Sequence, residues 1–328
     1  MKSDNREITY AEALSEAMAE EMRRDNKVFV IGEDVGRWGS LFGATKGLLK
    51  EFGEGRVKDT PISEAGFTGC AVGAALVGMR PVVEIMYIDF ISIAMDQIVN
   101  HAAKLRYVSA GQVKVPLVVR TQGGITLRTS ALHSQCLENW FVHVPGLVVI
   151  MPSSPYQAKG LLKSAIRNDN PVMFIEHKFF YRKKGFVPEE EYLIPIGKAE
   201  IKREGKDVTI VATSYMVEKS LDAAQELEKK GVEAEVIDPQ TLSPLDEDTI
   251  LSSVKKTGKC IIVHEAPKTG GWGGEVASLV AEKAFSYLNA PVKRIAGLDV
   301  PIPYGKEAET LVTPQAKDIV KAVLELKK

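Results

Sequence analysis

DTPISEAGFTGCAVGAALVGMR, residues 59–80, holds the pattern on which the rest of the chain is organised. Glu64 stands just ahead of a small and apolar run in which Gly66, Gly69, Gly73 and Gly78 recur. A glycine inside a helix costs roughly 1 kcal/mol against alanine, so four of them need a reason. Close approach of another helix or a ligand is the simplest, and Gly69 and Gly73, one turn apart, share a face. No charged residue lies between Glu64 and Arg80, so the run predicts a helix buried all round. A lone carboxylate at the mouth of such a helix is costly unless it is paired. That is a usual setting for acid–base work. The same residue would equally serve as a cap, because the first N–H groups of a helix need an acceptor.

Upstream, residues 9–24 (TYAEALSEAMAEEMRR) predict an amphipathic helix with acids early and arginines late. Residues 27–31 (KVFVI) predict a short buried strand running into Gly32, Glu33 and Asp34, and residues 36–57 read as glycine-rich and irregular. Downstream, 81–87 (PVVEIMY) is a strand, and Ile88-Asp89-Phe90 leads into a helix over 91–107. Strands over 115–121, 147–151 and 172–176, with a helix over 156–167, continue the alternation. Near-continuous apolar strands alternating with helices predict a parallel sheet covered on both faces. Residues 179–205, rich in Lys, Glu and Pro, break the rhythm, which then resumes with strands at 208–213, 234–237, 260–264 and 292–295. The expected architecture is α/β: two parallel-sheet α/β domains, residues 1–185 and 206–328, joined by a linker at 186–205.

The 328 residues leave room for two cores, and 45% hydrophobic with 26% charged residues is an ordinary globular composition. A net charge of −1 gives no case for nucleic acid or an anionic membrane surface. No apolar run reaches bilayer length. The first residues have no apolar signal segment. Cys70, Cys136 and Cys260 are far apart, lack metal-ligand spacing and read as reduced core residues of a cytoplasmic protein.

Some features weigh chemistry against a plain structural account. Gly270-Gly271-Trp272-Gly273-Gly274 follows a strand and opens a helix, the setting of a phosphate cradle. It lacks the spacing of a dinucleotide or P-loop motif, so a tight turn is the better account. His133 lies in a polar loop with Thr126, Arg128, Thr129, Ser130, Ser134 and Gln135, which suits a proton shuttle or plain solvent exposure. His143 and His177 are further candidates for support around a site. Phe90, just past a strand end, is placed to stack on a planar ligand or to fill a core.

Seven segments in order, ITYAEALSEAMAEEMRRD, IGEDVG, DTPISEAGFTGCAVGAALVGMRPVVE, AMDQIVNHAAKLRY, HSQCLENWFVHVPGL, MPSSPYQAKGLLKSAIRNDNPVMFIEHK and DVPIPYG, form one known pattern. Over almost its whole length the chain resembles the beta subunit of the thiamine-diphosphate-dependent decarboxylase component of 2-oxo acid dehydrogenase complexes. The resemblance implies a pyrimidine-binding domain followed by a transketolase C-terminal-like domain. It implies a tetramer of two alpha and two beta chains that passes an acyl group to the lipoyl arm of an acyltransferase core. The glutamate matching Glu64 hydrogen-bonds the coenzyme's aminopyrimidine ring and favours its basic tautomer. Phe90 matches the aromatic that stacks on the pyrimidine, His133 a histidine assisting acyl transfer, and Glu33 an acid near the coenzyme. A structural potassium ion in the family maps onto Leu117, Ala165, Ile166, Asn168 and Asn170, with aspartate often standing where this chain has Asn168.

The Gly-Asp-Gly run that fixes diphosphate and magnesium in thiamine-diphosphate enzymes does not occur in this sequence. Magnesium and the diphosphate are therefore expected on the partner alpha chain. Ile88-Asp89-Phe90 and Glu176-His177-Lys178 resemble acetoin-dehydrogenase-type beta chains, with pyruvate and branched-chain 2-oxo acids as the other substrates in play. Against catalysis stands an assembly module that only docks the acyltransferase core. A self-sufficient transketolase-like enzyme is disfavoured by chain length and the missing magnesium run.

Overall fold

The computed structural model describes residues 6–125 and 128–326. The chain divides into two compact units, one of residues 1–123 with 140–196, the other of residues 124–139 with 197–328.

In the first unit six strands run parallel: β1 (Val28–Gly32), β2 (Val57–Asp59), β3 (Arg80–Ile85), β4 (Val118–Gly123), β5 (Val148–Ile150) and β6 (Val172–His177). Their order is β5-β6-β4-β3-β1-β2. The expected strands are present, each within a few residues of its predicted span. β2 was not expected. It is three residues long, too short for an apolar period to show, and only Val57 of it is buried.

Helix α1 (Tyr10–Arg24) starts at a reciprocal cap between Thr9 and Glu12 and ends on Arg23 and Arg24. Its inner face meets α3 (Pro155–Arg167), which opens on Ser154 accepting from Gln157 N with Pro155 in the first turn. The contact is charged as well as apolar. Lys159 and Lys163, buried on α3, pair with Glu16 and Glu20, and Arg167 pairs with Glu21 at 2.7 Å. Between them in the chain comes α2 (Glu64–Leu76), the helix of the glycine run, which packs on β3 and the segments after it.

Residues 184–186, expected within or beside the linker, are ordered by pairing. Glu7–Thr9 and Lys184–Phe186 form an antiparallel ribbon with Glu7 opposite Phe186.

The second unit has its own sheet of five strands: β7 (Glu200–Arg203), β8 (Val208–Ala212), β9 (Ala234–Asp238), β10 (Cys260–Pro267) and β11 (Lys293–Gly297), ordered β11-β10-β8-β9-β7. β7 is an antiparallel edge on an otherwise parallel sheet. It was hidden from sequence because EIKR has one apolar residue, and that residue is exposed. Helices α4 (Tyr215–Glu228) and α7 (Ala316–Glu325) pack together over β8, β9 and β10 through Ala223, Leu227, Ile319 and Val323. On the other side lie α5 (Glu247–Thr257), capped by Asp246, and α6 (Gly273–Ala284). Among the described residues no helix is long and apolar enough to cross a membrane.

Candidate active site

In a parallel sheet, ligands bind beyond the carboxyl ends of the strands. Three of the expected site residues stand there in the first unit. Glu33 follows β1, Glu64 is the first residue of α2 shortly after β2, and Phe90 lies in a tight helical turn, Ile88–Ala94, after β3. That turn packs against α2, so Phe90 and Glu64 ride on touching elements.

Glu64 is 6% exposed. The capping position is taken by Ser63, which makes no side-chain bond to the helix. Glu64 thus sits in the first turn, where the positive end of the helix favours an anion. Burial, then the charge of Glu64, then that of Asp34, push the Glu33 carboxyl up to about 7. The two acids therefore sense one another. Glu33 Oε1, Thr60 Oγ1 and Gln97 Oε1 are buried and have no hydrogen-bond partner among the described residues. Buried polar atoms are normally satisfied, so these orphans, two just past strand ends and one on the helical segment facing α2, point to a missing polar ligand.

The loop after Glu33 is irregular, as expected, until a short helix, Leu48–Phe52, that was not expected, and it is held at many points. Gly36 N and Arg37 N donate to Asp59 at 2.6 and 3.1 Å, Thr45 Oγ1 donates to Val35 O at 2.6 Å, and Thr60 N donates to Gly32 O at 3.0 Å. Ser40 donates to the Glu84 carboxylate. Gly32 permits this crossing, since a Cβ there would lie 2.5 Å from Glu84 O.

The glycine helix differs from expectation in one respect. It is not buried all round: Gly66, Cys70 and Gly73 are exposed, and Val77 just beyond its end is 82% exposed. Cys70 is therefore not a core residue. Gly69 faces Gln97, whose Cγ would sit 3.6 Å from an added Cβ, while nothing lies within 4 Å at Gly73. Gln97 belongs to a widened, π-helical segment, Asp96–Ala102, inside the expected 91–107 helix. Such segments are frequent at functional sites.

Behind this region lies a charged cluster that sequence reasoning missed. Arg120 on β4 is fully buried. Its guanidinium bonds Glu176 on β6 through Nε at 2.7 Å and Nη2 at 2.9 Å, and Glu84 on β3 at 2.7 Å. Tyr181 donates to Glu176, and Gln122 to Glu84 at 3.3 Å. One signal was available. PVVEIMY, VPLVVRT and VMFIE each carry a single charge inside an apolar strand, and unpaired charge is not buried at that depth.

His133 lies in the second unit, half-buried. Its N–H donates to Ser130 O at 3.3 Å, and Thr129 Oγ1 donates to His133 O at 3.1 Å. Thr126, named with it, lies outside the described residues. His143 is exposed, while His177 is buried against Phe180 with Nδ1 accepting from Phe179 N at 3.2 Å.

The glycines at 270–274 serve close packing rather than phosphate. A Cβ at Gly271 or Gly273 would lie 2.5 or 2.7 Å from the ring of buried His264. That burial lowers the His264 pKa to about 4, with the Ala266 backbone opposing.

The five potassium positions gather where α3 turns into β6. Leu117 O accepts from Val172 N at 2.8 Å, Ala165 O from Asn168 N at 3.1 Å, and Asn168 Oδ1 from Asn170 N at 2.8 Å. Arg80 donates to Ile166 O at 2.8 Å, Asn168 O at 3.0 Å and Asp169 at 2.6 Å. Asp169 also pairs with Lys114 at 2.6 Å.

Comparison with known proteins agrees with the two-sheet architecture. Residues 6–184 match the transketolase pyrimidine-binding domain and residues 197–319 the transketolase C-terminal domain. A split-gene transketolase, solved as an inactive beta4 tetramer, superposes with a TM-score of 0.79 at 26% identity, over 97% of this chain and 98% of that one. Acetoin:2,6-dichlorophenolindophenol oxidoreductase subunit beta of Bacillus subtilis (strain 168) is 47% identical, over 98% of this chain and 97% of that protein. Pyruvate dehydrogenase E1 component subunit beta-2 of Oryza sativa subsp. japonica, a mitochondrial protein, is 49% identical, over 97% and 85%. The chain is thus a two-domain transketolase-type subunit. It belongs to the family of E1 beta subunits of the pyruvate, acetoin and 2-oxoisovalerate dehydrogenase complexes, thiamine-diphosphate-dependent oxidoreductases.

Proposed function

We propose that this chain supplies the pyrimidine half of an E1 active site and that Glu64 is its essential acid. The observation that carries this is the set of orphaned polar atoms around Glu33 and Glu64 at the carboxyl ends of the first sheet. When bound, thiamine diphosphate supplies a nucleophilic carbon and an electron sink for cleavage next to a carbonyl. Glu64 would hold a proton against the pyrimidine ring nitrogen. Glu33, with its carboxyl at about 7, keeps a second exchangeable proton beside it at neutral pH. Phe90 offers the stacking face, and His133 assists acyl transfer to a lipoyl arm.

Magnesium and the diphosphate fall to the partner alpha chain, since this chain lacks the Gly-Asp-Gly run. The open small-residue face of α2 supports seating against another subunit, in a tetramer of two alpha and two beta chains that docks on a lipoyl acyltransferase core. The beta4 relative described as inactive is in keeping with a site that one kind of chain does not complete. A cytoplasmic setting is in keeping with Cys70, Cys136 and Cys260 lying far apart in the sequence. The potassium positions do not fit an ion as they stand. Arg80 already brings a fixed positive charge to two of their carbonyls, and Asp169 is engaged with Arg80 and Lys114.

Acetoin or a small 2-oxo acid such as pyruvate is the proposed substrate class. Identities of 47% and 49% to acetoin- and pyruvate-type chains lie too close to rank them. His177 and Lys178 are buried, the latter with Nζ 5.1 Å from the Tyr87 ring, so their likeness to acetoin-type chains reflects packing under the site.

The test is reconstitution with an alpha subunit, thiamine diphosphate and magnesium, assayed on pyruvate, acetoin and 2-oxoisovalerate. Glu64→Ala is expected to lower turnover by about a thousandfold with the tetramer's mass unchanged. Undiminished turnover would leave only the assembly-module reading. Activity of the purified chain without its partner would sink the shared site.

A further inference from the structure

Glu33 sits inside a bracket made by two consecutive residues of the neighbouring strand and its exit. β1 and β2 run parallel with Gly32 beside Asp59. Just before Glu33, Gly32 O accepts from Thr60 N at 3.0 Å. Just after it, Gly36 N and Arg37 N donate to Oδ1 and Oδ2 of Asp59 at 2.6 and 3.1 Å. Asp59 and Thr60 thus hold the chain on either side of Glu33, one through a carboxylate and the other through its backbone. The same stretch then runs into Glu64 at the start of α2. Glu33 and Thr60, both within this bracket, each carry a buried oxygen without a partner among the described residues.

The turn held in this way is not one the chain keeps unaided. Asp34 has a φ of 55°, in the left-handed region that residues with a Cβ avoid. Such conformations persist only where the surroundings over-determine them. The restraints here are Ser40 N, which donates to Asp34 O at 2.8 Å, and the two bonds to Asp59. Backbone N–H bonds to a carboxylate are roughly twice as strong as neutral ones. Gly36 makes room for that carboxylate, since a Cβ there would lie 2.8 Å from Oδ2 and 3.0 Å from Oδ1 of Asp59. The backbone of Gly36 is not left-handed, so its missing side chain serves the carboxylate and not the backbone angle.

We propose that Asp59 is a positioning residue for the reaction: its carboxylate fixes the Glu33–Asp34 turn against the stretch that leads to Glu64, and so holds the two acids in register. The inference rests on the roles given to Glu33 and Glu64 above. Asp59 acts through the turn and not on the coenzyme. A displacement of about 1 Å at a reacting group is worth on the order of a hundredfold in rate, so even partial release of the turn reads out in turnover.

The test uses the reconstituted alpha–beta complex with saturating thiamine diphosphate and magnesium. It measures KM and kcat per bound coenzyme, on whichever of pyruvate, acetoin and 2-oxoisovalerate is turned over fastest. Asp59→Ala is expected to lower kcat by about tenfold or more and to leave KM within about threefold, with the tetramer's mass unchanged. Gly36→Ala is expected to give the same loss, because its methyl group displaces the carboxylate. The double variant should be no worse than Asp59→Ala alone, since both changes break the same bonds. Should Asp59→Ala fail to assemble, Asp59→Asn takes its place with the same expectations, as it keeps the size but sets an amide N–H against one of the two backbone donors. A kcat within about threefold of the unaltered complex, a raised KM with kcat unchanged, or losses that multiply in the double variant would overturn the proposal. Glu33→Gln is the control for the underlying reading. If it lowers kcat and the Asp59 variants do not, only the positioning role falls; if it leaves kcat intact, the role of Glu33 and the positioning that serves it fall together.

Discussion

At Arg120 two carboxylates converge on one guanidinium; at Glu33 a carboxyl feels the charge of Glu64, and no cation pairs with either among the described residues. Both groups lie in the first unit, near the ends of adjacent strands. In the first, Glu176, Glu84, Tyr181, Gln122 and Ser40 bond around Arg120 so that both carboxylates meet its guanidinium, and Gln122 Oε1 is left over without a partner among the described residues. In the second, buried oxygens are left without partners. The difference teaches how to read buried charge here. A completed network is architecture that fixes the Ser40 loop and the strand ends, whereas an uncompleted one awaits a ligand.

The comparison is broken most severely at Arg120. Removing one partner of a buried pair costs about 3–5 kcal/mol, because uncompensated charge remains. Arg120→Met should therefore lower the urea midpoint of the first unit sharply, followed by tryptophan fluorescence or hydrogen exchange. A loss under about 1 kcal/mol would show that the cluster is not structural.

Next comes Glu138, whose burial raises its folded pKa to about 7 from the ordinary value of 4.5. The folded state holds the proton more tightly, so this group's stabilisation is full below pH 4.5 and is lost as pH rises through 7. Glu138→Gln should remove that loss. Its melting temperature should gain on the unaltered protein between pH 6 and 8, by an amount on the order of 3 kcal/mol at most. A gap that does not widen with pH would place Glu138 in an ionised state throughout.

Glu33 gives the same sign with a different readout. Glu33→Gln should leave the folded protein as stable or more so above pH 7, since it removes a carboxyl whose charge burial and Glu64 oppose. Turnover of the reconstituted complex should fall by about tenfold or more. Lost stability with retained turnover would move Glu33 into the architectural class.

The smallest effect is expected at the α3–β6 turn. Replacing potassium by sodium should shift the melting temperature by less than about 1 °C, because Arg80 already holds Ile166 and Asn168. A shift of several degrees would restore the ion.

Much of this was legible from residues alone. The α/β alternation gave the two sheets because parallel strands buried on both faces read as unbroken apolar runs, as in KVFVI and VMFIE. The buried place of Glu64 at the mouth of its helix was legible because it is the one acid ahead of an uncharged run to Arg80. Other elements left no period to read: Val57–Asp59 is too short, Glu200–Arg203 is an exposed edge, and Glu7–Thr9 is ordered by a partner far along the chain. The Arg120 cluster needed the strand register, which sets Glu84 opposite Arg120 and Gln122 opposite Glu176. The grouping of residues 124–139 with the second unit was also unreadable, since it depends on contacts with residues far along the chain, such as Ile125 N with Glu265 and Asn139 with Gly270 O.

The ribbon that joins Glu7–Thr9 to Lys184–Phe186 has a consequence for biosynthesis. Its earlier strand emerges from the ribosome long before its mate, and the buckle closes only after β1 to β6 have been made. Until then Ile8 and its neighbours wait unclasped, so pauses in translation before Phe186 lengthen the interval in which a nascent chain is open to chaperones and to mispairing.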